Sequence, residues 1–213
     1  MKDSKNIIII GAGGLAKDIF SPLQATLQKD ERIKGVLADD KEKFIASQIP
    51  THYLGTIKDY QPTKQDRLLV CFGTQPMRTR IFCEFQQKGA KFHSFIHPTA
   101  ILPRHCNIGE GVIIGAYCII GEHSFIGNNV FANKFVNIGH DSSIHNHTIL
   151  CPYVMVAGGA SIGESSFLST RVSLAPNTHI GNHCTISAHS FVKTNIADST
   201  FAYPQTTLKQ RKK

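Results

Sequence analysis

Two stretches of the chain combine residue types and spacings capable of chemistry. The first is Gly11-Ala12-Gly13-Gly14-Leu15-Ala16, a GxGxxA spacing placed after the apolar run Asn6 to Ile10 and opening a helical stretch from Leu15 to about Gln28. Glycines there permit a tight turn and bring free backbone N–H groups to the positive end of a helix, where a phosphate binds. Strand, glycine turn and helix in that order are the context that the dinucleotide-type fingerprint requires. The second stretch is Asn133-Lys134-Phe135-Val136-Asn137-Ile138-Gly139-His140-Asp141. An imidazole titrates near 6.5, so it can take up and release a proton close to neutrality. A carboxylate beside it can hold the other ring nitrogen and fix the tautomer.

The elements that must position these residues fall into two regions. Over residues 1–94 the buried strand Asn6 to Ile10 and the helix are followed by a second strand, Ile33 to Leu37, which ends in Asp39-Asp40. An acidic residue at that place in a dinucleotide fold reads a ribose; here the pair could equally read a nucleobase or a sugar hydroxyl, or be a solvated turn. A variable stretch with Pro50 and Pro62 leads to a strand from Arg67 to Phe72, ended by Gly73. Pro76 opens a helix to about Lys88, and Lys91 to Phe95 is a last strand. The β-α-β-β-α-β order predicts a truncated Rossmann-like α/β cap, too small for a whole dinucleotide and suited to a mononucleotide.

From Phe95 to Ile196 one beat organises the chain: an aliphatic residue at every sixth position, from Ile96, Leu102 and Ile108 to Ile186 and Val192, with Ala132 the one small member. Four residues after each beat sits a small or β-branched residue, such as Ala100, Cys106, Val112, Cys118, Ser124 and Val130. A fixed short period marks a solenoid. A helix is excluded, because positions six apart would rotate around its axis rather than stack. The beat fits three short parallel strands per 18-residue coil, with successive coils about 4.8 Å apart. Counting in eighteens places Gly158 one coil after His140, on the same face.

The repeat, an aliphatic residue with Gly after it and a small residue four on, resembles the hexapeptide-repeat acyltransferases, whose coils form an all-β left-handed parallel β-helix. That handedness is an exception to the usual crossover rule. Together with the GAGGLA unit, Asp39-Asp40, Gly73 with Arg78 five residues on, and Ile96-His97-Pro98-Thr99-Ala100, the chain is similar to the nucleotide-amino-sugar N-acetyltransferases, grouped with the sialic acid O-acetyltransferase-type proteins. The resemblance implies domains at 1–94 (nucleotide-sugar-binding cap) and 95–196 (β-helix), with a tail at 197–213. It implies His140 as general base with Asp141 behind it, Asn133 lining the cleft, and the Gly158 N–H as donor to the oxyanion. It further implies a nucleotide-sugar site at Gly11, Gly13, Gly14, Leu15, Asp39, Asp40, Gly73 and Arg78. Acetyl-CoA would be the donor, with direct transfer to the amine of a nucleotide-linked amino sugar, and the assembly a homotrimer with clefts between prisms. The rivals are O-acetylation of a sialic acid or other sugar, and a scaffold that has lost catalysis.

Two departures lie on the donor side. The family's closing Gly-x-Pro-Ala-Lys loop is replaced by Ala202-Tyr203-Pro204-Gln205-Thr206, and a second histidine found nine residues after the base in some relatives is Ile149 here. His145, His147, His179, His183 and His189 fall on outward positions and are expected to be solvated or interfacial. A zinc site would need His140, His145 and His105, but His105 lies 35 residues before His140 and not at the 36 of two coils, so no metal is expected. Cys151 could carry an acyl group only in a mechanism that direct transfer does not use.

The formal charge of +8 fits an acidic small molecule or, equally, a generic basic surface, and no basic stripe with interleaved aromatics points to nucleic acid. Part of that charge sits in Lys209, Arg211, Lys212 and Lys213. The six cysteines form no CxxC pair, and Cys106, Cys118 and Cys184 fall on the small inward position as apolar filler. The apolar run after Met1-Lys2-Asp3-Ser4-Lys5 is too short for a signal peptide or a membrane span, so the protein is expected in the cytoplasm.

Overall fold

The structure is a computed structural model and describes residues 4–204; the basic tail, and Gln205 and Thr206 of the departing loop, lie outside the described residues. The chain opens with β1 (Lys5–Ile10), α1 (Gly14–Thr26), β2 (Glu31–Leu37), α2 (Lys41–Ser47), β3 (Tyr53–Gly55), β4 (Asp66–Val70), α3 (Met77–Gln87) and β5 (Lys91–Phe92). The strands form one parallel sheet in the order β3-β2-β1-β4-β5. β1 runs Ile7 to Ile10 with no exposed side chain, as a central strand covered on both faces must. After β1 the chain moves to one side, through β2 and β3; it then returns to the other, through β4 and β5. The ends of β1, β2 and β4 therefore frame the point where strand order reverses, the usual ligand crevice of such sheets.

Past Phe92 the two-residue strands β6 (Phe95–Ile96) to β22 (Phe201–Ala202) build a left-handed parallel β-helix with three walls. The first wall stacks the strands that begin at Phe95, Ile113, Phe131, Ile149, Phe167, Thr185 and Phe201. The second stacks those at Ile119, Asn137, Met155, Ser173 and Phe191, and the third those at Asn107, Phe125, Ser143, Ser161 and His179. Every pairing joins residues one 18-residue coil apart until the end, where Phe201 and Ala202 pair with Thr185 and Ile186. Strand pairing thus extends beyond Ile196, where a tail was expected. The beat residues and the small residues between them fill the interior, including Ile114, Cys118, Ile120, Ile126 and Val130.

The corners explain the regularity of the register. Tyr117, His123, Asn129, Phe135, Asp141, His147 and Tyr153 all have φ between 55° and 63°. Each six-residue step turns through one left-handed residue, a conformation Asn and Asp tolerate best and one that fixes the corner. Close stacking of coils sets the other constraint. A Cβ on Gly139 would stand 2.6 Å from the amide nitrogen of Gly158, so a larger residue there would push two coils apart.

The cap sits on the first wall. The outward residues Phe95, Ile113, Phe131 and Ile149 are buried in one cluster with Ile7, Ile9, Ala16 and Leu69. Full burial of a large apolar side chain is worth about 1.5–3 kcal/mol, so this face alone is enough to dock the cap firmly. Ile149, at the place of the second histidine, is therefore buried under the cap. Two elements escaped the sequence reading: α2 and β3 occupy the stretch taken as variable. Conversely, Lys91 to Phe95 is two strands, Lys91–Phe92 closing the cap sheet and Phe95–Ile96 starting the first wall. Among the described residues no helix is long and apolar enough to cross a membrane.

Candidate active site

Two groups of residues stand out, on different edges of the prism. The first surrounds a cavity of about 460 Å³ at the strand-order reversal. Gly13 is the N-cap of α1, in extended backbone, and no acidic residue occupies the helix's first turn. A Cβ added to Gly13 or Gly14 would meet nothing within 4 Å, so both face open space; Gly11 is needed for its φ of 106° and its approach to the Cys71 carbonyl. The helix terminus thus presents its amides unobstructed to the cavity, as anion binding requires.

Gly11, Gly13, Gly14, Leu15, Asp39, Asp40, Gly73 and Asn133 all line this space. Asp39 Oδ1 accepts from the Ile57 N–H at 2.9 Å, and Asp40 Oδ1 accepts from the Lys43 N–H at 2.9 Å as the cap of α2. The second oxygen of each carboxylate has no partner among the described residues. Asn133 reaches the cavity from the edge between the first and second walls, its Oδ1 held by the Lys134 N–H at 2.8 Å. Sequence reasoning missed Phe131, Met77, Cys71 and Cys151, which supply apolar walls. Cys151 was within reach of the register, since it lies one coil after Asn133. Burial pushes the Cys151 thiol up to about 11 and the Cys71 thiol up to about 12. Both are neutral thiols near pH 7 and poor nucleophiles.

Arg78 requires a correction. It was expected to touch the nucleotide, but it is fully buried and outside the cavity. Its guanidinium donates to the carbonyls of Val70, Phe72, Asn129 and Gly111. His147 is also corrected: only 7% exposed, it is packed beside Phe82, with Nδ1 3.0 Å from Asn129 Nδ2 and Nε2 4.0 Å from Cys83 Sγ. Desolvation lowers its pKa, which keeps the ring neutral.

The second group lies on the edge between the second and third walls. His140 Nδ1 is 2.6 Å from Asp141 Oδ2, with both side chains more than half exposed. Asp141 is a left-handed corner residue, φ 56°, and the turn carries its carboxylate back onto the preceding imidazole. With Nδ1 engaged, Nε2 points to the next coil. There a Cβ on Gly158 would stand 2.7 Å from Nε2 and 2.8 Å from Cε1. The next amide, Gly159 N–H, donates to the His140 carbonyl at 2.9 Å, while the Gly158 N–H meets no acceptor among the described residues. A proton acceptor and a residue whose backbone N–H has no acceptor among the described residues are therefore neighbours on successive coils, the kind of pairing that acyl transfer uses. Gly158→Ala is expected to displace the ring and cut turnover by about 10²-fold or more, with the thermal midpoint little changed; steady-state kinetics and a melting curve check it.

The structure does not bring the two groups together within one chain. His140 and Asp141 do not line the cavity, and the second wall separates their edge from that of Asn133. His105 stacks on His123 and lies 3.5 Å from Glu122; among the described residues no group of three or more such side chains is arranged to hold a metal ion.

A Rossmann-like cap on a left-handed β-helix of six-residue steps is the architecture of the hexapeptide-repeat acyltransferases. The family model described as the GMPPB C-terminal domain matches residues 91–202, and the chain belongs to that family. Among solved structures, PerB from Caulobacter crescentus in complex with CoA and GDP-perosamine is 25% identical, with 93% of this chain and 94% of that one covered and a TM-score of 0.80. A mutant of perosamine N-acetyltransferase from the same organism, also with CoA and GDP-perosamine, is 24% identical over 97% of each chain, TM-score 0.81. The acetyltransferase domain of PglB from Neisseria gonorrhoeae is 20% identical over 94% of this chain and 97% of that one, TM-score 0.82. The two likenesses below 25% identity speak for the fold. The comparison with curated proteins gave no match.

Proposed function

We propose that the protein moves an acetyl group from acetyl-CoA to the amine of a nucleotide-linked amino sugar of the 4-amino-4,6-dideoxyhexose class. The observation that carries this reading is the His140 edge: a carboxylate-held imidazole whose Nε2 abuts Gly158 one coil away, a residue whose N–H has no acceptor among the described residues. The cavity supports the acceptor, since a glycine-rich helix terminus and two carboxylates suit a nucleotide diphosphate and its hydroxyls or base. The similar Caulobacter proteins add support, having been crystallised with CoA and GDP-perosamine both as PerB and as mutants in which a histidine is replaced by asparagine or alanine. A sialic acid acceptor would leave the nucleotide-type cavity without a task.

In the reaction the donor carbonyl oxygen would lie against the Gly158 N–H. The amine attacks the thioester carbon, and the proton it sheds passes to His140 Nε2 while the oxyanion forms. Asp141 stabilises the imidazolium through Nδ1–H. Collapse of the tetrahedral intermediate expels the CoA sulfur, which takes the proton from His140 and leaves the amide.

Separation of the two groups implies assembly of the site between copies. The second wall exposes Ile101, Ile119, Met155 and Phe191, each at 44–67%, and the Tyr117, Phe135 and Tyr153 rings stack along its edge. Such an apolar face is what a further copy covers. In a homotrimer formed through it, an acceptor held in one cap would reach the His140 edge of the next prism. The cytoplasm is the proposed setting.

Isothermal titration with UDP-, dTDP- and GDP-linked amino sugars tests the acceptor. One of them is expected to bind, and Gly13→Glu, which puts a carboxylate into the open space at the α1 terminus, is expected to abolish that binding. Failure of all three to bind the unaltered protein contradicts the reading.

A further inference from the structure

Behind the cavity wall lies a cation that the reaction does not use. Arg78 has no solvent exposure, and no carboxylate pairs with it among the described residues. Its partners are backbone carbonyls. Nη1 donates to Val70 O and Phe72 O, at the end of β4; Nε donates to Asn129 O at 3.0 Å and Nη2 to Gly111 O at 3.2 Å, on two successive turns of one β-helix edge. Gln75 extends the grip to a third turn, its Nε2 donating to the carbonyl of His147. Thr79 Oγ1 holds Gln75 Oε1 at 2.6 Å and so orients the amide. The start of α3 thus holds Gly111, Asn129 and His147, three residues spaced one coil apart.

This joint abuts the cavity. Cys71, Phe72, Gly73 and Thr74, which follow β4, form part of its lining, and so does Phe131. The guanidinium carbon lies 5.6 Å from the Phe131 ring centroid, and that ring is 3.7 Å from where a Cβ on Gly73 would be. Burial lowers the guanidinium pKa only to about 10, so it stays charged at neutral pH. An apolar side chain would fill the same space without desolvating a charge. What the planar fork adds is direction, holding carbonyls of both domains at set angles.

We infer that Arg78, with Gln75, is a positioning residue for the nucleotide cavity, locking the loop Cys71–Thr74 of the cap against the Phe131 wall of the β-helix. The inference rests on the cavity being the nucleotide site. It makes Arg78 act on the acceptor through the cavity's shape, with no contact to the ligand and no effect on the donor side.

The test uses the full chain with Arg78→Lys, which keeps the charge and loses the fork, Arg78→Met, which loses both, and the milder Gln75→Ala. GDP, UDP and dTDP are titrated calorimetrically, and KM is measured for acetyl-CoA and for the acceptor. Both Arg78 variants are expected to weaken binding of the preferred nucleotide and raise acceptor KM by about tenfold or more, with acetyl-CoA KM within about twofold. Gln75→Ala is expected to act in the same direction by a smaller factor of about threefold, and it decides the matter if the Arg78 variants fail to fold. A purely structural role would lower the active fraction and leave nucleotide affinity per folded molecule unchanged. That result in Arg78→Lys, or in Gln75→Ala where the former is unfolded, overturns the inference. If the unaltered protein binds no nucleotide, the nucleotide reading itself falls.

Discussion

His140→Ala is expected to lower kcat by about 10²- to 10⁴-fold, the range that a positioned general base contributes. The ring is more than half exposed and makes no core contact, so the fold should survive and the melting curve should stay in place. Titration should show nucleotide and acetyl-CoA binding within about twofold of the unaltered protein, because the cavity is on another edge and Gly158 keeps its N–H. Asp141→Asn should fall between the two, since an amide can still orient Nδ1 but cannot stabilise the imidazolium. Full turnover in His140→Ala would remove this residue from the mechanism.

Mixing two inactive variants is expected to restore activity. His140→Ala chains keep an intact cap, and Gly13→Glu chains keep an intact His140 edge. If each site joins the cap of one chain to the His140 edge of the next, chains assembled together from equal parts should recover about a quarter of normal activity, by random assortment around a closed ring. Variants purified separately and mixed without subunit exchange should recover none. Sites contained within single chains would give no recovery under either condition. The exposed second wall makes the first outcome the expected one, since its apolar residues adjoin the His140 edge.

The β-helix was legible because each six-residue step needs one inward aliphatic residue and one small one, so the pattern survives substitution elsewhere. Counting in eighteens also placed Gly158 beside His140, where a Cβ added to Gly158 would stand 2.7 Å from Nε2. The cap was legible where a strand was buried on both faces, as in β1. It was not legible at α2, a seven-residue helix whose Ile45 is 63% exposed, leaving no helical periodicity to read.

The errors at Arg78 and His147 share a cause. Counting assigns a residue to an edge of the prism and says nothing of what covers that edge. Gly111, Asn129 and His147 share one edge, and α3 is packed on it, turning an outward histidine into a buried one. Arg78, placed at the nucleotide by the family resemblance, comes from the same helix and divides its donors between that edge and the carbonyls of Val70 and Phe72 in the cap. The cavity's apolar side was hidden for a related reason: Phe131 and Cys151 belong to the β-helix, Cys71 and Met77 to the cap, and only the docking of the two brings them to one space.

Transfer of an acetyl group is the most direct test of the whole account. The purified protein would be incubated with acetyl-CoA and, in turn, GDP-, dTDP- and UDP-linked 4-amino-4,6-dideoxyhexoses, while free CoA thiol and the mass of the nucleotide sugar are followed together. The account predicts that one acceptor gains a single acetyl group in step with thiol release, and that His140→Ala slows both equally. Thiol release without an acetylated sugar, or no transfer to any acceptor by a protein shown to be folded, would contradict it.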